Sequence, residues 1–179
     1  MPAAALLSIL LSLPFVGALL APFIPAPRAR NAAAVLAGLV ALVALVVTLA
    51  MYPSIASGNA VRHEFAWLPS LGLSIVLRLN GLSWMFAVMI TGIGFLVVLY
   101  ARYYLQPTEP VARFFALFLG FMGAMLGIVL AGNLIQLVVF WELTSVSSFL
   151  LIGYWHSSSN ARDGARMALI ITATGGLAL

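Results

Sequence analysis

The sequence predicts an all-α integral membrane protein of about six transmembrane helices, with a short extracytoplasmic β-hairpin-like loop between helices 2 and 3. Three observations carry this. Hydrophobic residues make up 64% of the 179 and charged residues 7%, against about 45–50% and about 25% in a soluble domain. The mean hydropathy is +1.18, so there is too little polar surface to cover a globule in water. The apolar residues also fall into runs near the ~20 residues that cross ~30 Å of hydrocarbon.

Taken in order, span 1 covers residues 3–24, with Pro14 a candidate kink. The run is too long for a signal-peptide core and no charged segment precedes it. Pro25-Ala-Pro27, Arg28 and Arg30 break the chain, and span 2 follows over 31–51, closed by Pro53. His63-Glu-Phe-Ala-Trp-Leu68 and Leu73-Ser-Ile-Val-Leu-Arg78 flank Pro69-Ser-Leu-Gly72. Two β-prone segments about a Pro/Gly turn predict a hairpin on the membrane surface, the alternative being an irregular loop. Span 3 covers 81–105 and ends at Gln106-Pro-Thr-Glu-Pro110. Spans 4 and 5 cover 113–131 and 133–155, joined by a tight turn at Gly132-Asn133. His156-Ser-Ser-Ser-Asn160 is a polar loop, and span 6 covers 162–179.

Residues 1–179 thus read as part of one polytopic domain. The last apolar run, from Ala165 to Leu179, covers only about 22 Å at 1.5 Å per residue and has no polar end. This predicts an N-terminal fragment of a longer protein, or a gene split here.

The chemistry is narrowed by what is missing. There is no cysteine, which excludes disulfides, thiolate metal sites and cysteine nucleophiles. His63 and His156 lie too far apart for metal-ligand spacing. No phosphate loop, cofactor motif or nucleophile constellation appears, so neither a cofactor nor a soluble-type enzyme is expected. All eight basic residues are Arg, placed singly or in pairs. They mark topology rather than a nucleic-acid surface. Loops 1–2, 3–4 and 5–6 carry Arg28 and Arg30, Arg102 and Arg113, and Arg162 and Arg166. The opposite side carries Arg62 and Arg78, both in the hairpin loop. The positive-inside rule then places the N-terminus, the hairpin and the Gly132-Asn133 turn outside the cytoplasm.

Glu142 stands alone. It lies about nine residues into span 5, ~14 Å of rise, near the bilayer midplane. A charged group there costs a few kcal/mol or more unless paired or protonated, and intramembrane ionisable residues default to function. Burial disfavours the charged form of an unpaired carboxyl, and a nearby cation restores it. Ser145 lies one turn on along the same side and Ser148 further around that flank, so hydroxyls and water are candidates to pass a proton. His156, at the cytoplasmic edge, is a weaker candidate beside Tyr154 and Trp155. The alternative is a protonated Glu142 that only hydrogen-bonds a neighbouring helix. No other ionisable group lies mid-membrane. Gly92, Gly94, Gly120, Gly123 and Gly127 read as helix-packing positions, and Gly175-Gly176 receives no chemical role.

Several stretches resemble a known family. They are Arg113-Phe-Phe-Ala-Leu-Phe118, Met122-Gly-Ala-Met-Leu-Gly127, Ala131-Gly-Asn-Leu-Ile-Gln136 and Phe140-Trp-Glu-Leu-Thr-Ser145. Arg78-Leu-Asn-Gly-Leu-Ser83, residues 161–169 and residues 174–179 add to them. Together they resemble the large A subunit of Mrp-type multisubunit cation/proton antiporters. That family is akin to the antiporter-like subunits of respiratory complex I and membrane-bound hydrogenases. The resemblance implies a secondary transporter, not an enzyme, in the bacterial inner membrane. It implies work within a hetero-oligomeric membrane complex that exchanges protons for Na+ or K+. It also implies that Glu142 is the fifth-helix glutamate, whose lysine partner lies on a seventh helix beyond this chain. A proton-pumping redox complex and a non-transporting scaffold are the alternatives. Asn80 stands where the family often has Asp, so any charge at that position is absent here.

Overall fold

A computed structural model of the chain describes residues 3–24, 29–68, 73–106, 109–155 and 158–177. The helices are α1 (Ala3–Leu20), α2 (Ala29–Ala50), α3 (Tyr52–Ala56), α4 (Gly81–Tyr104), α5 (Val111–Leu130), α6 (Leu134–Ile152) and α7 (Ser159–Leu177). A 3₁₀ turn over Ala21–Phe23 extends α1. Between α3 and α4, strands β1 (Val61–Leu68) and β2 (Leu73–Leu79) pair antiparallel. The predicted hairpin is therefore present, while its Pro69–Gly72 turn lies outside the described residues.

Five helical segments are long and apolar enough to cross a membrane: Ala3–Phe23, Asn31–Ala56, Gly81–Tyr104, Val111–Leu130 and Leu134–Ile152. These are the five complete spans expected. The sixth, α7, begins at Ser159 and carries Arg162, Asp163 and Arg166 in its first turns. Pro14 lies inside α1, buried, with helix on both sides of it. The short α3 is an addition to the expected elements. Pro53, expected to close the second span, lies instead within the Asn31–Ala56 segment, in the first turn of α3, where a missing N–H costs nothing.

α5 is the hub, packed against α1, α2, α4 and α6. Small residues make this possible. A side chain at Gly94 would meet the Met122 sulfur at 2.7 Å, and one at Gly123 the Phe15 ring at 3.0 Å. At Gly127 it would collide with the Phe140 ring. Gly120 faces open space, so not every glycine in the pattern is a contact. Elsewhere large apolar side chains face outward, with Leu19 70% and Leu96 62% exposed. That is the surface a bilayer covers, and van der Waals packing rather than hydrophobic burial then holds the helices together.

The buried threonine hydroxyls of α2 and α4 are satisfied within their own helices, as lipid requires. Thr48 donates to the Ala44 carbonyl at 2.8 Å and Thr91 to that of Ala87 at 2.7 Å. Across helices, the Trp84 indole N–H donates to the Thr48 carbonyl at 2.7 Å. Asn80 starts α4 with a capping box: its Oδ1 accepts from the Ser83 amide at 2.9 Å and its amide donates to the Ser83 hydroxyl at 2.8 Å. Asn and Asp cap equally well, so the cap survives the lost charge.

The hairpin closes one end of the bundle. Ala131 bridges Leu77, the Gly132 amide donates to the Val76 carbonyl at 2.7 Å, and Ser8 Oγ lies 2.8 Å from His63 Nδ1. The start of α1, the hairpin and the Gly132-Asn133 turn thus share one end. The chain direction sets the ends of α4 and α6 and the starts of α5 and α7 at the other. This is the sidedness the arginines predict, without yet saying which end faces which compartment.

Candidate functional site

α6 carries the site, and its start is fixed by side-chain bonds. Asn133 is the N-cap, its Oδ1 accepting from the Gln136 amide at 2.8 Å. Its Nδ2 donates to the Ser74 carbonyl of β2 at 2.9 Å. Gln136 is 7% exposed, and its Oε1 accepts from the Val76 amide at 2.9 Å. Gln136 Nε2 is buried with no hydrogen-bond partner among the described residues. It lines a cleft of about 450 Å³ between hairpin and helix, with Arg62, Glu64, Asn133 and Phe140. Arg62 and Glu64 pair at 2.9 Å on the exposed strand. A hydrogen bond from the Ser74 hydroxyl, then the Arg62 contact, holds the Glu64 carboxyl below its usual range.

One and a half turns further on, Phe140, Trp141 and Glu142 point at two neighbours. The Phe140 ring fills the space left by Gly127 of α5 and lies 6.3 Å from the Phe15 ring. A side chain on Gly176 of α7 would collide with Glu142 Oε1 and meet the Trp141 ring. Glu142 is half-buried, and its Oε1 is buried with no hydrogen-bond partner among the described residues. An unmade bond to a buried carboxyl oxygen is expensive. The carboxyl thus sits at the α6–α7 contact, over a glycine that leaves it room.

The neighbouring hydroxyls do not reach it. Ser145, 3% exposed, donates to the Trp141 carbonyl at 3.2 Å, and Thr144 donates to the same carbonyl at 2.6 Å. Ser147 donates to the Leu143 carbonyl at 2.7 Å. Ser148 is half-buried one turn beyond Ser145. His156 lies outside the described residues.

Two residues of this region have no role that the sequence alone exposes. Gln136 stands there only inside a motif, and its bond to Val76, 60 residues away, has no local signal. Gly176 looks like a packing glycine, and nothing in one sequence pairs it with Glu142. At the far end Tyr154 is 4% exposed, and burial, with Glu109 adding and Arg113 opposing, pushes its phenol up to about 12.

Comparison with known proteins decides the family. Residues 67–115 match the family described as "NADH-Ubiquinone oxidoreductase (complex I), chain 5 N-terminus". Residues 131–179 match "NADH:quinone oxidoreductase/Mrp antiporter, TM". Over 97% of its length the chain is 58% identical to the A/B subunit of a probable K(+)/H(+) antiporter of Rhizobium meliloti (strain 1021). The chain belongs to the family of Mrp-type antiporter A subunits. A second relative, the A subunit of a Na(+)/H(+) antiporter of Alkalihalophilus pseudofirmus, is 45% identical over 93% of the chain. The chain spans 17% of the length of the first of these relatives and 21% of the second.

Among solved structures, the Mrp complex from Dietzia sp. DQ12-45-1b matches with a TM-score of 0.77 and 29% identity. That match covers 96% of this chain and 18% of the other. A chain of the membrane-bound sulfane sulfur reductase, an archaeal respiratory membrane complex, has the same fold with a TM-score of 0.82 at 20% identity. It covers 95% of this chain and 34% of that one.

Proposed function

We propose that this chain supplies the Glu142-bearing part of an antiporter A subunit, in a hetero-oligomeric assembly that exchanges protons for Na+ or K+. Glu142 is the relay carboxyl. It binds a proton when no cation is near and releases it when one approaches, so that a movable cation sets its charge. One observation carries this reading: Glu142 is held inside the α6–α7 contact with Oε1 unbonded among the described residues. A purely structural carboxyl would be expected to have a partner. Relatives named as K(+)/H(+) and Na(+)/H(+) antiporter subunits support the same reading.

Ser145 and Ser148 line the route on α6, and His156, which follows that helix in the sequence, is the candidate at its mouth. Because the Ser145 and Ser147 hydroxyls are turned to helix carbonyls, the relay works through water, with the serines contributing lone pairs. The N-terminus and hairpin face away from the cytoplasm of a bacterial inner membrane, with the arginine-bearing end inside. The chain contains no cysteine, so a single cysteine at exposed Asn59 reports the side. Labelling of Asn59→Cys by an impermeant thiol reagent on intact cells is the expected result.

The test of the relay is Glu142→Gln in the complete subunit within its assembly. Transport should fall about a hundredfold or more, the scale on which losing a positioned proton donor acts, while assembly is unchanged. Normal transport by the Glu142→Gln variant would leave only the scaffold reading. The family description naming complex I favours one second reading, part of a redox-driven pump. Proton movement that requires a reductant, rather than a cation gradient, would select it.

A further inference from the structure

At the end of the bundle away from the hairpin, a pocket of about 250 Å³ opens between the start of α5, the end of α6 and the start of α7. Arg113 of α5 and Arg162 and Arg166 of α7 line it, over apolar Phe149, Leu150 and Ala165. The starts of α5 and α7 therefore bring three arginines to one concavity closed by the end of α6, and like charges so gathered repel.

No acidic residue lines this pocket among the described residues. Asp163 follows Arg162 on α7. Glu109, just before α5, lies outside the pocket lining, its Oε1 accepting from the Trp155 indole at 2.9 Å and its Oε2 from the Gln106 amide at 3.0 Å. Arg162 has contacts of its own within the chain and also lines the pocket. The first turn of α7 adds the positive end of a helix dipole.

The level of the pocket identifies the anion. Trp155 is 49% exposed and Tyr103 78%, with Tyr100, Tyr104 and Arg102 beside Tyr103 on the last turn of α4. Such an aromatic and basic belt marks the headgroup layer of a bilayer. Planar guanidinium forks bind phosphate oxygens in pairs, and the apolar floor suits the first methylenes of an acyl chain.

We propose that Arg113, Arg162 and Arg166 bind the phosphodiester headgroup of an anionic phospholipid. The shared chemistry with free inorganic phosphate is the phosphate oxygens. What separates the two is the apolar floor and the belt.

The test uses the complete assembly extracted in mild detergent, exposed to phosphatidylglycerol or phosphatidylcholine, and weighed intact by mass spectrometry. Retention of phosphatidylglycerol over phosphatidylcholine is expected. Each of Arg113→Gln, Arg162→Gln and Arg166→Gln should lower it about fivefold and the triple variant about a hundredfold, the scale of surface cation–lipid attraction. Arg102→Gln, in the belt but outside the pocket, should lower it much less. Arg166→Lys keeps the charge and the fold and should retain an intermediate amount. Equal retention by the triple variant and wild type would overturn the proposal. So would displacement of the lipid by millimolar inorganic phosphate, which would make the ligand a free anion. Absence of retained lipid in the wild type, with Arg166 cross-linked to an acidic segment of the assembly, would overturn it in favour of a protein partner.

Discussion

The two halves of α6 differ in whether their buried polar side chain is anchored to a neighbouring element at all. In the first half, Asn133 Nδ2 and Gln136 Oε1 tie the helix to the backbone of β2, at 2.9 Å to Ser74 and 2.9 Å to Val76, although Gln136 Nε2 is also buried without a partner among the described residues. In the second half, Glu142 packs against Gly176 and Oε1 bonds to nothing among the described residues. A helix that can anchor one buried amide by tertiary bonds could have anchored a carboxyl too. The difference teaches that the first half holds position, and that the second keeps a costly group available. Glu142→Gln is the largest test of that division, because it should remove transport and leave assembly intact.

The next test presses on the contact without touching the carboxyl. Gly176→Val places a branched side chain where Glu142 Oε1 and the Trp141 ring now sit. Overpacking of this kind typically costs about 1–3 kcal/mol. Cross-linking between α6 and α7 should weaken and transport should drop although Glu142 is present. Gly120→Val is the matched control, since that position faces open space, and it should be close to neutral. If both variants transport normally, the α6–α7 contact is irrelevant to the carboxyl.

Gln136→Leu probes the anchored half. It leaves the Val76 amide without its acceptor, a loss of about 1–3 kcal/mol when the group is buried. Hydrogen exchange at Val76 should speed up and the hairpin should loosen, while the protonation behaviour of Glu142 stays as it was. A transport defect as deep as that of Glu142→Gln, with the hairpin still protected, would erase the distinction between the halves.

These two halves also differ in how far the sequence exposes them. Glu142 is legible because its cost is local: a carboxyl nine residues into an apolar run is expensive whatever surrounds it. The five spans and the two strands are legible for the same reason, since run length and the Pro69–Gly72 punctuation sit in adjacent residues. Gln136 and Gly176 are not. One matters through Val76, which sits on a strand before α4, and the other through a helix packed face to face. No periodicity encodes such partners. The serines are legible as neighbours of Glu142, but not in orientation, because a helix hydroxyl chooses between its own carbonyl and a side chain only once packing is set. The short α3 is hidden by Pro53, which ends a helix in one reading and begins one in the other.

The smallest effect lies on the exposed rim of the anchored half. Glu64 accepts from the Ser74 hydroxyl at 2.8 Å and from Arg62 at 2.9 Å, and these contacts hold its carboxyl below the usual range. A lowered folded value means that the ionised form is favoured in the paired strands. The contribution is therefore present above the ordinary carboxylate value near ~4.3 and is lost as pH falls through the lower, folded one. Both groups are open to solvent, so salt should screen the ion pair and leave the Ser74 bond. Exchange of the β1–β2 amides should thus quicken slightly below about pH 4, and Glu64→Gln should remove that dependence while keeping an acceptor for Ser74. If the pH response instead persists in Glu64→Gln and disappears in Glu142→Gln, the carboxyl in the second half of α6 is coupled to the hairpin through the first, and the two halves act as one unit.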